Sequence, residues 1–169
     1  LQSDEGLAFV YLGSNNGIDF LSAVALQVNQ GSSNFGTLVS TAGDVNGDGY
    51  SDLIVSAPSF TDIQSNEGAV FIFHGSQSGI VTLYDTILEI DQPLLFFGSF
   101  VASAGDMNGD GYGDVVIGAQ HYGSDNGAVF IYEGNPTGIH GSEFTQVIRD
   151  TPGMFFGFSG VWGGDVNGG

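Results

Sequence analysis

Short apolar blocks, bounded by Gly, Asn, Asp and Ser, recur along this chain. Gly68-Ala-Val-Phe-Ile-Phe-His-Gly75 and Gly127-Ala-Val-Phe-Ile-Tyr-Glu-Gly134 each open and close on glycine. Leu53-Ile-Val-Ser-Ala57 and Val115-Val-Ile-Gly-Ala119 are rich in β-branched residues and read as buried strands. No segment sustains an apolar spacing of 3.6 residues, so helix is expected to be scarce. The pattern predicts strands over 37–42, 53–57, 69–74 and 83–90, then over 99–104, 115–119, 128–133 and 143–148. Phe71 and Phe73, like Phe130 and Tyr132, alternate along their strands. One set of side chains should therefore face the sheet packing and the other a neighbour or solvent.

The blocks repeat with a long period. Gly6-Leu-Ala-Phe-Val-Tyr-Leu-Gly13 is a third copy of the glycine-headed strand, and each copy leads to a Gly-Ile pair: Gly17-Ile18, Gly79-Ile80, Gly138-Ile139. A Phe-Gly pair also recurs, at Phe35-Gly36, Phe97-Gly98 and Phe156-Gly157. The heads Gly6, Gly68 and Gly127 keep the same spacing as Asp44, Asp106 and Asp165, which open a second recurring motif. Two unrelated markers in step indicate a true repeat. Four short antiparallel strands per period is the unit of a β-propeller blade, so the expected fold is all-β. The repeats divide the chain into a partial repeat at 1–34, complete repeats at 35–96 and 97–155, and the start of another at 156–169.

The motif opened by those aspartates carries the chemistry. Asp44-Val-Asn-Gly-Asp-Gly-Tyr-Ser-Asp52 returns as Asp106-Met-Asn-Gly-Asp-Gly-Tyr-Gly-Asp114. Oxygen-bearing side chains stand at positions 1, 3, 5 and 9, with glycines where the backbone must turn. Calcium takes 6–8 oxygen ligands, and crowded carboxylates would otherwise repel one another. The expected ligands are Asp44, Asn46, Asp48 and Asp52 with the Tyr50 carbonyl, and Asp106, Asn108, Asp110 and Asp114 with the Tyr112 carbonyl. A third, incomplete set begins at Asp165 and Asn167, but Gly169 stands where its next carboxylate belongs. The competing reading of all three is an Asp- and Gly-rich turn that binds nothing. An EF-hand needs a bidentate Glu at position 12 and flanking helices. Position 12 is Val55 in one loop and Ile117 in the other, and the same test disfavours a dockerin-like loop. The ninth-position Asp should therefore close each site, and each loop should join two strands.

A Phe-Gly pair, then Asp-x-Asn-Gly-Asp-Gly-x-x-Asp, then an apolar strand ending near Ser56-Ala57-Pro58 resembles the FG-GAP repeat of integrin α-subunit propellers and of many secreted microbial proteins. Gly118-Ala119-Gln120, at the matching place in the next repeat, lacks the proline. The resemblance implies a propeller with calcium loops on one face, between the first and second strands of a blade. It further implies a role in adhesion or protein contact.

Two complete repeats do not close a ring of typically 4–8 blades. The favoured expectation is a segment of a longer repeat protein. The alternative is a subunit whose copies cover each other's blade edges.

The formal charge is −18, and Arg149 is the one basic residue. Nucleic acid and anionic membrane surfaces are therefore poor partners. There is no cysteine, no hydrophobic span and no signal peptide in this stretch. Calcium could take over some of the work of disulfides. Extracellular modules bind it at roughly 10⁻⁴–10⁻³ M, a concentration found outside cells, so secretion or the cell surface is expected.

Catalysis is not expected. His74, His121 and His140 share no ligand spacing and read as ordinary surface or strand-end residues; no nucleophile elbow is present. Asp62, Glu67, Asp125 and Glu143 remain as carboxylates free of the loops. Phe96-Phe97 and Phe155-Phe156 should pack between blades. Exposed Tyr122 or Trp162 would be the place for a sugar-stacking platform, a weaker alternative that would make the chain part of a secreted hydrolase or lectin. Protein partners, or copies of the chain itself, are the favoured ligands.

Overall fold

The computed structural model describes residues 3–141, 144–149, 153, 155–161 and 163. Among the described residues, ten strands form three antiparallel sheets. β1 (Ala8–Ser14) and β2 (Gly17–Leu26) make a two-stranded sheet. β3 (Val39–Gly43), β4 (Asp52–Ala57), β5 (Ala69–Phe73) and β6 (Thr86–Glu89) make the first four-stranded sheet in plain meander order. β7 (Phe97–Gly105), β8 (Asp114–Ala119), β9 (Ala128–Tyr132) and β10 (Gln146–Arg149) repeat it. These are two complete propeller blades and half of a preceding one. Among the described residues the one helical element is a single turn at Tyr122–Asp125, with Gly123 and Ser124 in the left-handed region. No helix of the described residues is long and apolar enough to cross a membrane.

The inner strands match the sequence reading closely, and the outer ones shift. The first strand of the earlier blade starts at Val39, two residues late, whereas its counterpart starts early, at Phe97. The fourth strand is confined to Thr86–Glu89. β2 begins at Gly17, within the expected Gly-Ile turn, and its alternation is masked by exposed apolar residues such as Phe20 and Leu21.

Alternation decides what each blade touches. Val70 and Ile72 of β5, with Ile54 and Leu88, join a core shared with Val115, Ile117, Phe130 and Tyr132 of the next blade. Phe71 and Phe73 point the other way, into a second core with Phe35, Val55, Ala8 and Leu26. No residue of β5 is left in solvent, so the expectation of one solvent-facing or neighbour-facing set resolves to burial on both faces. Phe97 packs edge-on to Phe130 and Tyr132, with ring centroids 5.6 and 6.4 Å apart. Phe35 meets Phe71 and Phe73 in the same manner, at 5.6 and 6.1 Å. Burying such a ring stabilises the fold by about 1.5–3 kcal/mol.

A second joint recurs where one blade hands over to the next. The N–H of Phe35, Phe97 and Phe156 donates to the carbonyl of Glu5, Glu67 and Asn126 in turn. The glycine after each acceptor lies so close that a Cβ on Gly6, Gly68 or Gly127 would fall 2.0 to 2.4 Å from the Phe carbonyl oxygen. Only glycine fits there, which is why these residues mark the period so clearly.

Candidate metal centre

Both nine-residue loops connect the first and second strands of a blade, β3 to β4 and β7 to β8. The register shifts at Thr41/Gly43 and Ser103/Gly105, just as each loop begins. The extra residue turns Asp44 and Asp106 out of the ladder and into the loop.

The loops have the same hydrogen bonds. Asp44 Oδ1 accepts the N–H of Gly47 at 2.7 Å and of Asp48 at 3.0 Å, while Oδ2 accepts that of Gly49 at 2.8 Å. Asp106 takes Gly109, Asp110 and Gly111 at 2.7, 3.0 and 2.8 Å. Asp48 Oδ1 accepts from Tyr50 N, and Asp110 Oδ1 from Tyr112 N. The first aspartate thus winds the chain around its own carboxylate.

The ninth residue does a different job. Asp52 is buried; its Oδ2 accepts Val45 N–H at 2.8 Å and its Oδ1 accepts Gly75 N–H at 2.8 Å. Asp114 does the same with Met107 at 2.7 Å and Gly134 at 3.0 Å. Each therefore closes its loop and ties it to the end of the third strand. Burial pushes both carboxyls above the usual Asp range, against the opposing pull of those backbone donors.

Among the described residues no three acidic or histidine side chains are already gathered around a point that could hold an ion. Asn46 Oδ1 accepts Asp48 N–H, and its Nδ2 donates to Asp48 Oδ2 at 3.2 Å; Asn108 and Asp110 repeat the arrangement at 2.9 Å. Each position-3 amide is thus turned onto the fifth-position aspartate. The donor set of three carboxylates, one amide oxygen and one peptide carbonyl fits a hard divalent ion. Asp165 and Asn167, and with them Trp162 and Glu143, lie outside the described residues.

Several residues read as free or exposed are engaged. Glu67 is wholly buried and its Oε1 accepts the N–H of Asp62 at 2.6 Å and of Gln64 at 3.3 Å. Asp125 is bonded to His121 Nδ1 at 2.6 Å, and the His121 ring lies against Phe96 and Phe155. His74 is mostly buried, 3.7 Å from Asp85. Tyr122 is half-buried, with its ring edge-on to Phe130, so it offers no open stacking platform. Phe97 packs between blades as expected, whereas Phe155 is 42% exposed. Glu67, His121, Tyr122 and Asp125 sit in the turns between second and third strands, where sequence carries little sign of what folds back over them.

The FG-GAP repeat model matches residues 35–73 and 97–132, which hold both loops with the strands on either side. The chain is built from FG-GAP repeats. Mus musculus integrin alpha-8 is 35% identical over 162 residues, covering 92% of this chain and 14% of that protein. Xenopus laevis integrin alpha-4 is 40% identical over 127 residues, with 73% and 12% covered. Drosophila melanogaster integrin alpha-PS2 is 39% identical over 117 residues, with 64% and 8% covered. The FG-GAP chain thus spans about an eighth of the length of the first two relatives.

Proposed function

We propose that this chain is a calcium-stabilised segment of an extracellular FG-GAP propeller that serves adhesion or protein contact, without catalysis. The observation that carries the reading is the duplicated loop. Asp44, Asn46, Asp48, Asp52 and the Tyr50 carbonyl would hold one Ca²⁺, and Asp106, Asn108, Asp110, Asp114 and the Tyr112 carbonyl a second. Repeat units at 35–96 and 97–155 follow from the same periodicity. An ion bound in each loop would neutralise part of the −18 charge and fix the loop between two strands.

Protein partners are favoured by the likeness to integrin α subunits and by one exposed face. On the β1–β2 sheet Phe9, Tyr11, Ile18, Phe20 and Leu21 stand in solvent. Phe9 and Tyr11 occupy the positions that Phe71 and Phe73 hold in the next blade, where they are covered. A neighbouring blade, of this protein or of a second copy, is the natural cover for that face.

Calorimetric titration tests the metal reading: two Ca²⁺ per chain are expected, and uptake of none would overturn it. Surfaces coated with the protein should hold cells or matrix proteins in millimolar Ca²⁺ and release them in chelator. Indifference to Ca²⁺ would argue against the adhesive role.

A further inference from the structure

The two loops touch each other. The N–H of Gly113, between Tyr112 and Asp114 in the second loop, donates to the carbonyl of Asp44 in the first at 2.7 Å. The ring of Tyr112 lies so close to the first loop that a Cβ on Gly47 would fall 2.6 Å from it. A second path runs through the third strand's end. Asp114 Oδ1 holds Gly134 N–H at 3.0 Å, and the next residue, Asn135, donates its N–H to Val45 O at 3.1 Å. Val45 N–H is in turn held by Asp52. The closing aspartates of both loops are thus joined by backbone across the blade boundary. Val45 is buried by this contact, whereas Met107, its counterpart in the second loop, is half-exposed.

We propose that the two loops bind calcium with positive cooperativity, a reading that rests on their being calcium sites. An ion in the second loop draws the Tyr112 carbonyl and the Asp114 carboxylate onto one centre. That fixes Gly113, between them, and Gly134, held by Asp114, and so presents the N–H groups of Gly113 and Asn135 to the carbonyls of Asp44 and Val45 where the first loop begins. Part of the ordering cost of the first site is then met before its ion arrives. Linkage makes the effect reciprocal. Repulsion between the ions opposes it, but in exposed loops at physiological salt charges are screened over about 8 Å.

The test is a thermodynamic cycle by calorimetry on the whole chain, with Asp48→Ala leaving only the second site and Asp110→Ala only the first. The product of the two wild-type dissociation constants should be smaller than the product of the two single-site constants by about 5-fold or more. Changes in loop charge cancel to first order in that comparison. Equal products, or a larger wild-type product, would overturn the coupling while leaving the calcium sites intact. No uptake in the wild type would instead remove the calcium reading, and the coupling with it. Tyr112→Leu keeps the peptide carbonyl but loses the ring over Gly47. It should bring the wild-type product closer to the single-site product, and an unchanged product would exclude the ring from the coupling.

Discussion

Asp52 Oδ1 lies 2.8 Å from the backbone nitrogen of Gly75, so the last residue of a proposed calcium loop also secures the end of the third strand. Asp48, four residues earlier in the same motif, is exposed and bonds only within the loop. The two aspartates should therefore respond differently to substitution. Asp52→Ala would strand two backbone donors and should cost about 2–3 kcal/mol even in chelator, with the ion's contribution lost in addition in calcium. Urea denaturation with and without chelator reads this directly, and a loss confined to calcium would refute the structural role.

Asp48→Ala should cost only what the ion contributes. At ~1 mM free calcium and a Kd near 10⁻⁴ M that is about 1.4 kcal/mol, vanishing in chelator. Thermal melts in the two buffers give the comparison. Equal losses in both would remove Asp48 from the ligand set.

Phe97→Ala should be the most damaging single truncation at the blade interface, by about 3–5 kcal/mol. Its ring is wholly buried against Phe130 and Tyr132, in the core that joins the two blades. Phe155→Ala, at a half-exposed ring, should cost far less. Chemical denaturation midpoints that fall together would contradict this packing.

Glu89 supplies a pH dependence independent of the loops. Burial first, then the charges of Glu67, Asp62 and Asp91, hold its carboxyl above the usual Glu range. The folded state therefore binds this proton more readily than the unfolded chain does. Stability from this group is lost as pH rises from about 4.5 through the raised folded pKa, and recovered on acidification. Glu89→Gln should raise the melting temperature at pH 7 and flatten its fall as pH rises above about 4.5. A mutant that melts lower at pH 7, with the same pH slope, would show that the carboxylate is stabilising instead.

The two nine-residue loops were legible because their chemistry is local. Nine contiguous residues carry the carboxylates, the amide and the glycines, and the internal hydrogen bonds of Asp44 and Asp106 follow from that spacing. The period was legible too, since Gly6, Gly68 and Gly127 stand where a following Phe approaches too closely for any side chain. Glu67 and Asp125 were misread as free because their partners come from turns whose path depends on packing. Tyr122 is half-buried for the same reason, and the bounds of β2 are hard to read because an uncovered sheet face blurs the alternation that reveals a strand.

The amino-acid order alone determines the all-β character, the four-strand period and the oxygen-rich loops, because each depends on contacts within a few residues. Tertiary structure decides which face of each strand meets which blade, that Asp52 and Asp114 brace a strand end, and that Gly113 reaches Asp44. Those relationships join residues distant in the chain, and they exist only once two blades pack against each other and the twist of their sheets sets which backbone groups meet.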